Sequence, residues 1–248
     1  MKHTILSVLA LLSVCTVCAQ THFEAHASVS EASDLPVSHT ERSEWLAPFS
    51  AVEIDAAADV LFVRVPDTQA PRIVYDTHGD STTRFRADMR GATLRIRERS
   101  DMHRRERTLV TVYYNSLEAL RMTDATVRFE GPLSAKLFDL AVGARANFEA
   151  EIDVQDLMME LSGDSRATLR GKARYLTLYA STGEANAAEL KSVAARVIAR
   201  TKAKVRVDAS ERLEARATGG ASVSYKSAPA LLRFSQSTPW FASEDKEK

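Results

Sequence analysis

The sequence predicts an all-β protein: a right-handed parallel β-helix, or solenoid, with coils of about 20 residues. Three observations predict it. Apolar and polar residues alternate wherever a pattern is visible beyond Trp45. From Ser116 onward the alternation recurs at a near-constant spacing. One side of the recurring runs is small and apolar while the other is largely charged. An antiparallel β-sandwich or barrel is the alternative that alternation alone leaves open.

The first element, residues 1–19, reads as an export signal. Lys2 supplies a positive start, residues 5–14 are mostly apolar, and Val17-Cys18-Ala19 offers a cleavage site. Both Cys, Cys15 and Cys18, fall inside it, so cleavage after Ala19 leaves a chain that folds without disulfides. Lipidation of one Cys is the alternative, but Val14 and Val17 precede them where a small residue is usual. The expected location is the periplasm, the outer-membrane surface or the exterior. No later run approaches 18 apolar residues, so no transmembrane helix is expected.

Residues 20–44 are rich in Ser, Thr, Ala, His and acids and read as a flexible leader. His22 and His26 are spaced for a metal only on a helix, which this segment does not pattern. Residues 45–116 alternate at Leu61/Val63/Val65, Leu94/Ile96 and Val110/Val112/Tyr114, as first coils or a β cap. Residues 117–236 carry the solenoid repeats, and residues 237–248 form a charged tail.

Each repeat is an alternating run, a turn, a second alternating run and a polar bend. Aligned on the turn, the units place Asp124, Gly143, Gly163, Thr182, Lys202 and Gly219 together. Twenty residues extend about 65 Å, enough to circle a small prism of short strands and rise one strand spacing of about 4.8 Å. One coil cannot bury its inner face, but a stack can. Val193, Ala195, Val197 and Ala199, then Ala203, Val205, Val207 and Ala209, supply such a face.

Several segments together carry a resemblance. They are Phe49-Ser50-Ala51-Val52-Glu53-Ile54, Gly91-Ala92-Thr93-Leu94-Arg95-Ile96, Leu157-Met158-Met159-Glu160-Leu161-Ser162-Gly163, and Val223-Ser224-Tyr225-Lys226-Ser227-Ala228-Pro229. In this order, over residues 49–236, the chain resembles the putative auto-transporter adhesin, head GIN domain family. The resemblance implies a β-helix-like stack, secreted or displayed at the cell envelope, without catalytic residues to carry over. The chain departs from the family's Gly-rich turns at Gly143-Ala144-Arg145, Thr182-Gly183-Glu184 and Thr201-Lys202-Ala203.

The chemistry is mostly one of exclusion. The chain holds 33 Lys plus Arg against 33 Asp plus Glu, so bulk positive charge for nucleic acid is absent. From Leu117 onward there is no His or Cys, which removes Ser-His triads, Cys nucleophiles and His-based metal sites from the repeats. Glu149, Glu151, Asp153, Asp156, Glu160 and Asp164 read as a solvated face, or less readily as a Ca²⁺ ridge. Residues 84–107 carry nine Arg against four acids. Within them Arg95, Arg97, Arg99, Arg104, Arg105 and Arg107 form a candidate surface for lipid phosphates or acidic glycans. The resulting expectation is a non-enzymatic envelope module that binds a glycan, a protein or an anionic envelope component and needs no cofactor. A carboxylate-dependent glycan-active enzyme and a structural spacer are the alternatives.

Overall fold

A computed structural model describes residues 41–78, 84–99 and 106–236. The export signal, the leader up to residue 40, Arg104, Arg105 and the tail lie outside them. The described chain is all strand: β1 (Glu41–Trp45), β2 (Ala51–Asp55), β3 (Ala58–Arg64), β4 (Arg72–Asp76), β5 (Arg86–Arg90), β6 (Thr93–Arg97), β7 (Thr108–Tyr114), β8 (Ala119–Thr123), β9 (Thr126–Glu130), β10 (Leu133–Gly143), β11 (Asn147–Leu161), β12 (Arg166–Ala180), β13 (Glu184–Ala199), β14 (Lys204–Ala217), β15 (Ser222–Tyr225) and β16 (Leu231–Gln236).

These strands curl into a β-solenoid of about six turns with coils of about 19 residues. The pairing from β8 to β16 is parallel throughout. Val142 sits beside Met122, Leu161 beside Val142, Ala180 beside Leu161, Ala199 beside Ala180, and Ala217 beside Ala199. The sequence spacing matched this period because each buried residue must lie over its counterpart one coil below.

From β11 to β14 each coil is one long strand of 14–16 residues rather than a set of short ones. The bends sit inside the strands. In β11, Gln155 and Asp156 are both exposed between buried Val154 and Leu157, and the alternation changes phase there. The same happens at Arg174 and Tyr175 in β12. In β13 the bend takes Val193, which is therefore half-buried, while Ala195, Val197, Ala199, Ala203, Val205, Val207 and Ala209 are all buried.

The core changes character along the stack. Near the N-terminal end it is aromatic: Phe62 stacks on Phe129 at 4.9 Å, and Phe129 meets Phe148 edge-on at 5.9 Å. In β13 and β14 it is built mainly from Ala and Val.

The N-terminal strands are both coil and cap. The β2–β3 pair lies parallel on β8–β9, and β6–β7 lies parallel on β2–β3, one level further out. The chain thus lays down its second coil before its outermost one. Antiparallel strands finish that end: β4 on β7, β1 on β4 and β5 on β6. They change the ladder type and cover the parallel edge. β1 takes residues 41–44 out of the expected leader. The Tyr75 hydroxyl donates to Glu44 Oε1 at 2.8 Å, and Arg72 stacks over Trp45 and Tyr113.

Candidate functional site

The turns between the two main strand faces form one ridge along the stack. Two residues past the aligned pairs, the register brings together Asp124, Ala144, Gly163, Thr182, Thr201 and Gly219. Gly143 and Lys202 each stand one position away from this column. Ala144 and Thr201 themselves hold the left-handed conformation, with φ of 51° and 56°. Alignment by glycine is drawn to Gly143, and no glycine marks the turn at Thr201. At Thr182 the positive φ passes to Gly183, at 85°. The ridge is close-packed: a Cβ on Gly163 would lie 2.6 Å from the Ala144 carbonyl oxygen. Ser165 is buried and donates to the Ser162 carbonyl at 2.7 Å, and Arg145 pairs with Asp124 at 2.9 Å.

The arginines of the N-terminal segment face acids. Arg95 Nε lies 3.1 Å from Glu53, though off the line of a hydrogen bond. Arg97 donates to Asp88 at 2.8 Å; this bond and the guanidinium charge hold the Asp88 carboxyl below the usual carboxylate range. Arg107 pairs with Asp59 at 2.9 Å and donates to the carbonyls of Ala58 and Asp124. It therefore ties three coils together. Arg99 is exposed just beyond β6.

The acids of the repeats are distributed over several faces and are interleaved with bases. Glu149 is bracketed by Arg128 at 3.8 Å and Arg170 at 3.1 Å, and Arg170 also reaches Glu189 at 3.5 Å. Asp153 stands beside Lys172 in the ladder. Among the described residues no three His, Cys, Asp or Glu side chains gather as a metal would need.

One outward face differs from these charged ladders. The strands before the turn ridge display Leu137, Met158, Tyr175 and Tyr179, which are 60%, 43%, 44% and 38% exposed. The register sets Leu137, Asp156 and Tyr175 in one row, Asp139, Met158 and Thr177 in the next, then Ala141, Glu160, Tyr179 and Ile198. Arg174 lies over the Tyr175 ring at 5.3 Å. An open furrow of about 270 Å³ runs beside this patch, with small side chains at Ala51, Ala119 and Ala141 and charges at Glu53, Arg121, Asp139 and Glu160. Sequence reading missed the patch because its members come from three coils. In the sequence they stand beside inward-facing apolar residues, as Met158 does between Leu157 and Met159, and nothing marks them as outward.

Among the described residues no helix is long and apolar enough to cross a membrane. Known structures share the fold. A putative adhesin from Bacteroides fragilis NCTC 9343 superposes with a TM-score of 0.70 at 16% identity, covering 79% of this chain and 92% of that one. A protein described as a putative lipid binding protein from Parabacteroides distasonis ATCC 8503 gives 0.64 at 14% identity, covering 81% and 95%. A putative adhesin from Parabacteroides merdae ATCC 43184 gives 0.57 at 15%, covering 79% and 91%. No curated protein matches the chain. A family profile described as "Putative auto-transporter adhesin, head GIN domain" matches residues 48–229, nearly the whole described solenoid. With its stacked coils and their β cap in place, the chain belongs to the putative auto-transporter adhesin, head GIN domain family.

Proposed function

We propose that the protein is an exported, non-enzymatic module of the cell envelope that binds a surface partner through the outward face carrying Leu137, Met158, Tyr175 and Tyr179. The exposure of these four large side chains on one face carries the reading. Elsewhere on the repeats the outward positions are mostly charged or small. Tyrosine suits such a surface, since it offers apolar area and a hydroxyl with little side-chain freedom to lose. The adhesin descriptions of the structural relatives support binding over catalysis, and one relative's description adds lipid as a partner class. The ion pairs of Arg95, Arg97 and Arg107 give those residues structural work, which favours this face for the proposed contact.

The test is adhesion of the labelled chain to whole bacteria and to epithelial monolayers. The variant Met158→Ser/Tyr175→Ser/Tyr179→Ser is expected to lower the bound fraction by at least about fivefold, as loss of central aromatic anchors does, while keeping its thermal midpoint. Equal binding by variant and parent, or cleavage of a polysaccharide by the parent, overturns the proposal.

A further inference from the structure

The zero net charge conceals a steep segregation along the stack. Residues 115–165 contain four Lys or Arg against ten Asp or Glu. Residues 166–236 contain fourteen against five. All fourteen basic side chains are exposed. The C-terminal coils are therefore strongly positive, and the coils just before them negative.

The excess extends the outward face described above. Beyond Tyr179 the rows continue as Ile198–Arg216 and as Arg196–Glu214–Arg233, with Arg212 beside Ala194, and Arg200 follows Ala199, whose carbonyl accepts from the Thr218 N–H. Over the outward positions of 194–200, 212–218 and 231–235, five arginines accompany one acid, Glu214. Arg212 donates to Glu214, and Arg233 stands 3.7 Å from it. The Arg212 hydrogen bond, then the charges of Arg212, Arg233 and Arg196, hold the Glu214 carboxyl below the usual range. One carboxylate cannot balance five guanidinium groups. Lys202, Lys204 and Arg206 continue the positive field around the turn ridge.

We infer that the C-terminal coils dock on an anionic lipid surface through Arg196, Arg200, Arg212, Arg216 and Arg233, with Tyr179 and Ile198 set at the boundary between headgroups and acyl chains. This rests on the proposed binding face and names its partner. Three features favour a lipid surface over an acidic polysaccharide. The arginines spread over three neighbouring strands of one sheet, and of the five only Arg200 lines a furrow, an open one of about 320 Å³ shared with Tyr179 and Ile198. Tyr179 and Ile198 stand in the same outward rows, the pairing of amphipathic and basic side chains that suits an interface. The field also covers the adjoining ridge, as attraction to a charged plane rewards.

The test is co-sedimentation of the exported chain with phosphatidylcholine vesicles, with and without roughly 30% phosphatidylglycerol. Binding is expected only with the anionic lipid and should fall steeply above about 0.1 M salt. Arg196→Gln/Arg200→Gln/Arg216→Gln should weaken it at least tenfold, since it removes three of the five guanidinium charges that face the surface. The matched variant Arg128→Gln/Lys136→Gln/Arg145→Gln, in the acidic coils and away from the Tyr179–Ile198 row, should bind like the parent. Circular dichroism confirms that each chain is folded, and the parent's salt titration stands whatever the variants do. Equal binding to neutral vesicles, equal loss in both variants, or retention on polygalacturonate without any on vesicles overturns the inference. In the last case the partner is an acidic glycan, and the adhesion assay of the binding face is unaffected.

Discussion

Thr201 holds φ at 56° between β13 and β14, a conformation that costs a residue with a Cβ about 1–2 kcal/mol. Thr201→Gly is therefore expected to stabilise the chain by about 1 kcal/mol in urea unfolding, less the entropy glycine gains when unfolded. Lys202→Gly, one residue on, should give no such gain. At Tyr114 burial pushes the phenol up to about 12, against a small opposing pull from Arg64. The folded state thus holds this proton more tightly than the unfolded chain, whose tyrosines titrate near 10. That contribution is intact below about pH 10 and is lost as pH rises toward 12. An absorbance titration of the phenolates should show Tyr114 ionising well above the exposed tyrosines, with Tyr75 also raised by burial and its bond to Glu44, and a Tyr114 that titrates near 10 contradicts it. Neither residue is legible in the sequence as special. Thr201 lacks the glycine that marks a left-handed turn, and Tyr114 is one of six tyrosines until packing places it against Phe62.

At the scale of elements, β12 shows how the coils bend. Gly171 has φ of 100° and pairs with Ile152 of β11. A Cβ there would run into the Ile152 carbonyl oxygen. Gly171→Ala combines a forbidden backbone with a backbone clash, and a loss of more than about 2 kcal/mol is expected in denaturant unfolding. Gly91→Ala, at a turn with open space around its Cβ position, serves as the milder comparison. Alternation made the straight parts of each coil readable, because buried positions recur every second residue. The polar bend that closes each repeat was readable too, but not that one strand continues through it: β11 runs past Gln155 and Asp156, and its ladders omit only Gln155 there. Leu190 pairs with Gly171 within a stretch where β13 carries extra residues relative to both neighbours. Such a register shift has no periodic signature.

Across the whole molecule, the charge asymmetry and the apolar patch meet on one face only because the coils are stacked. The repeat, its spacing, the small apolar interior of the last coils and the absence of His and Cys from the repeats were all determined by the sequence. They are local or periodic properties, and a chain whose neighbours in space lie about 19 residues apart displays them in one dimension. The tertiary structure alone decided the rest. It laid β6–β7 outside β2–β3, capped them with antiparallel strands, and joined Arg107 to Asp59 and Asp124 across the stack. It also set Met158, Tyr179, Arg196 and Arg216, from four coils, in two adjoining rows of one face. Those outcomes depend on which coil lies on which and on the direction each side chain takes at a bend, and both are settled by packing between residues far apart in the chain.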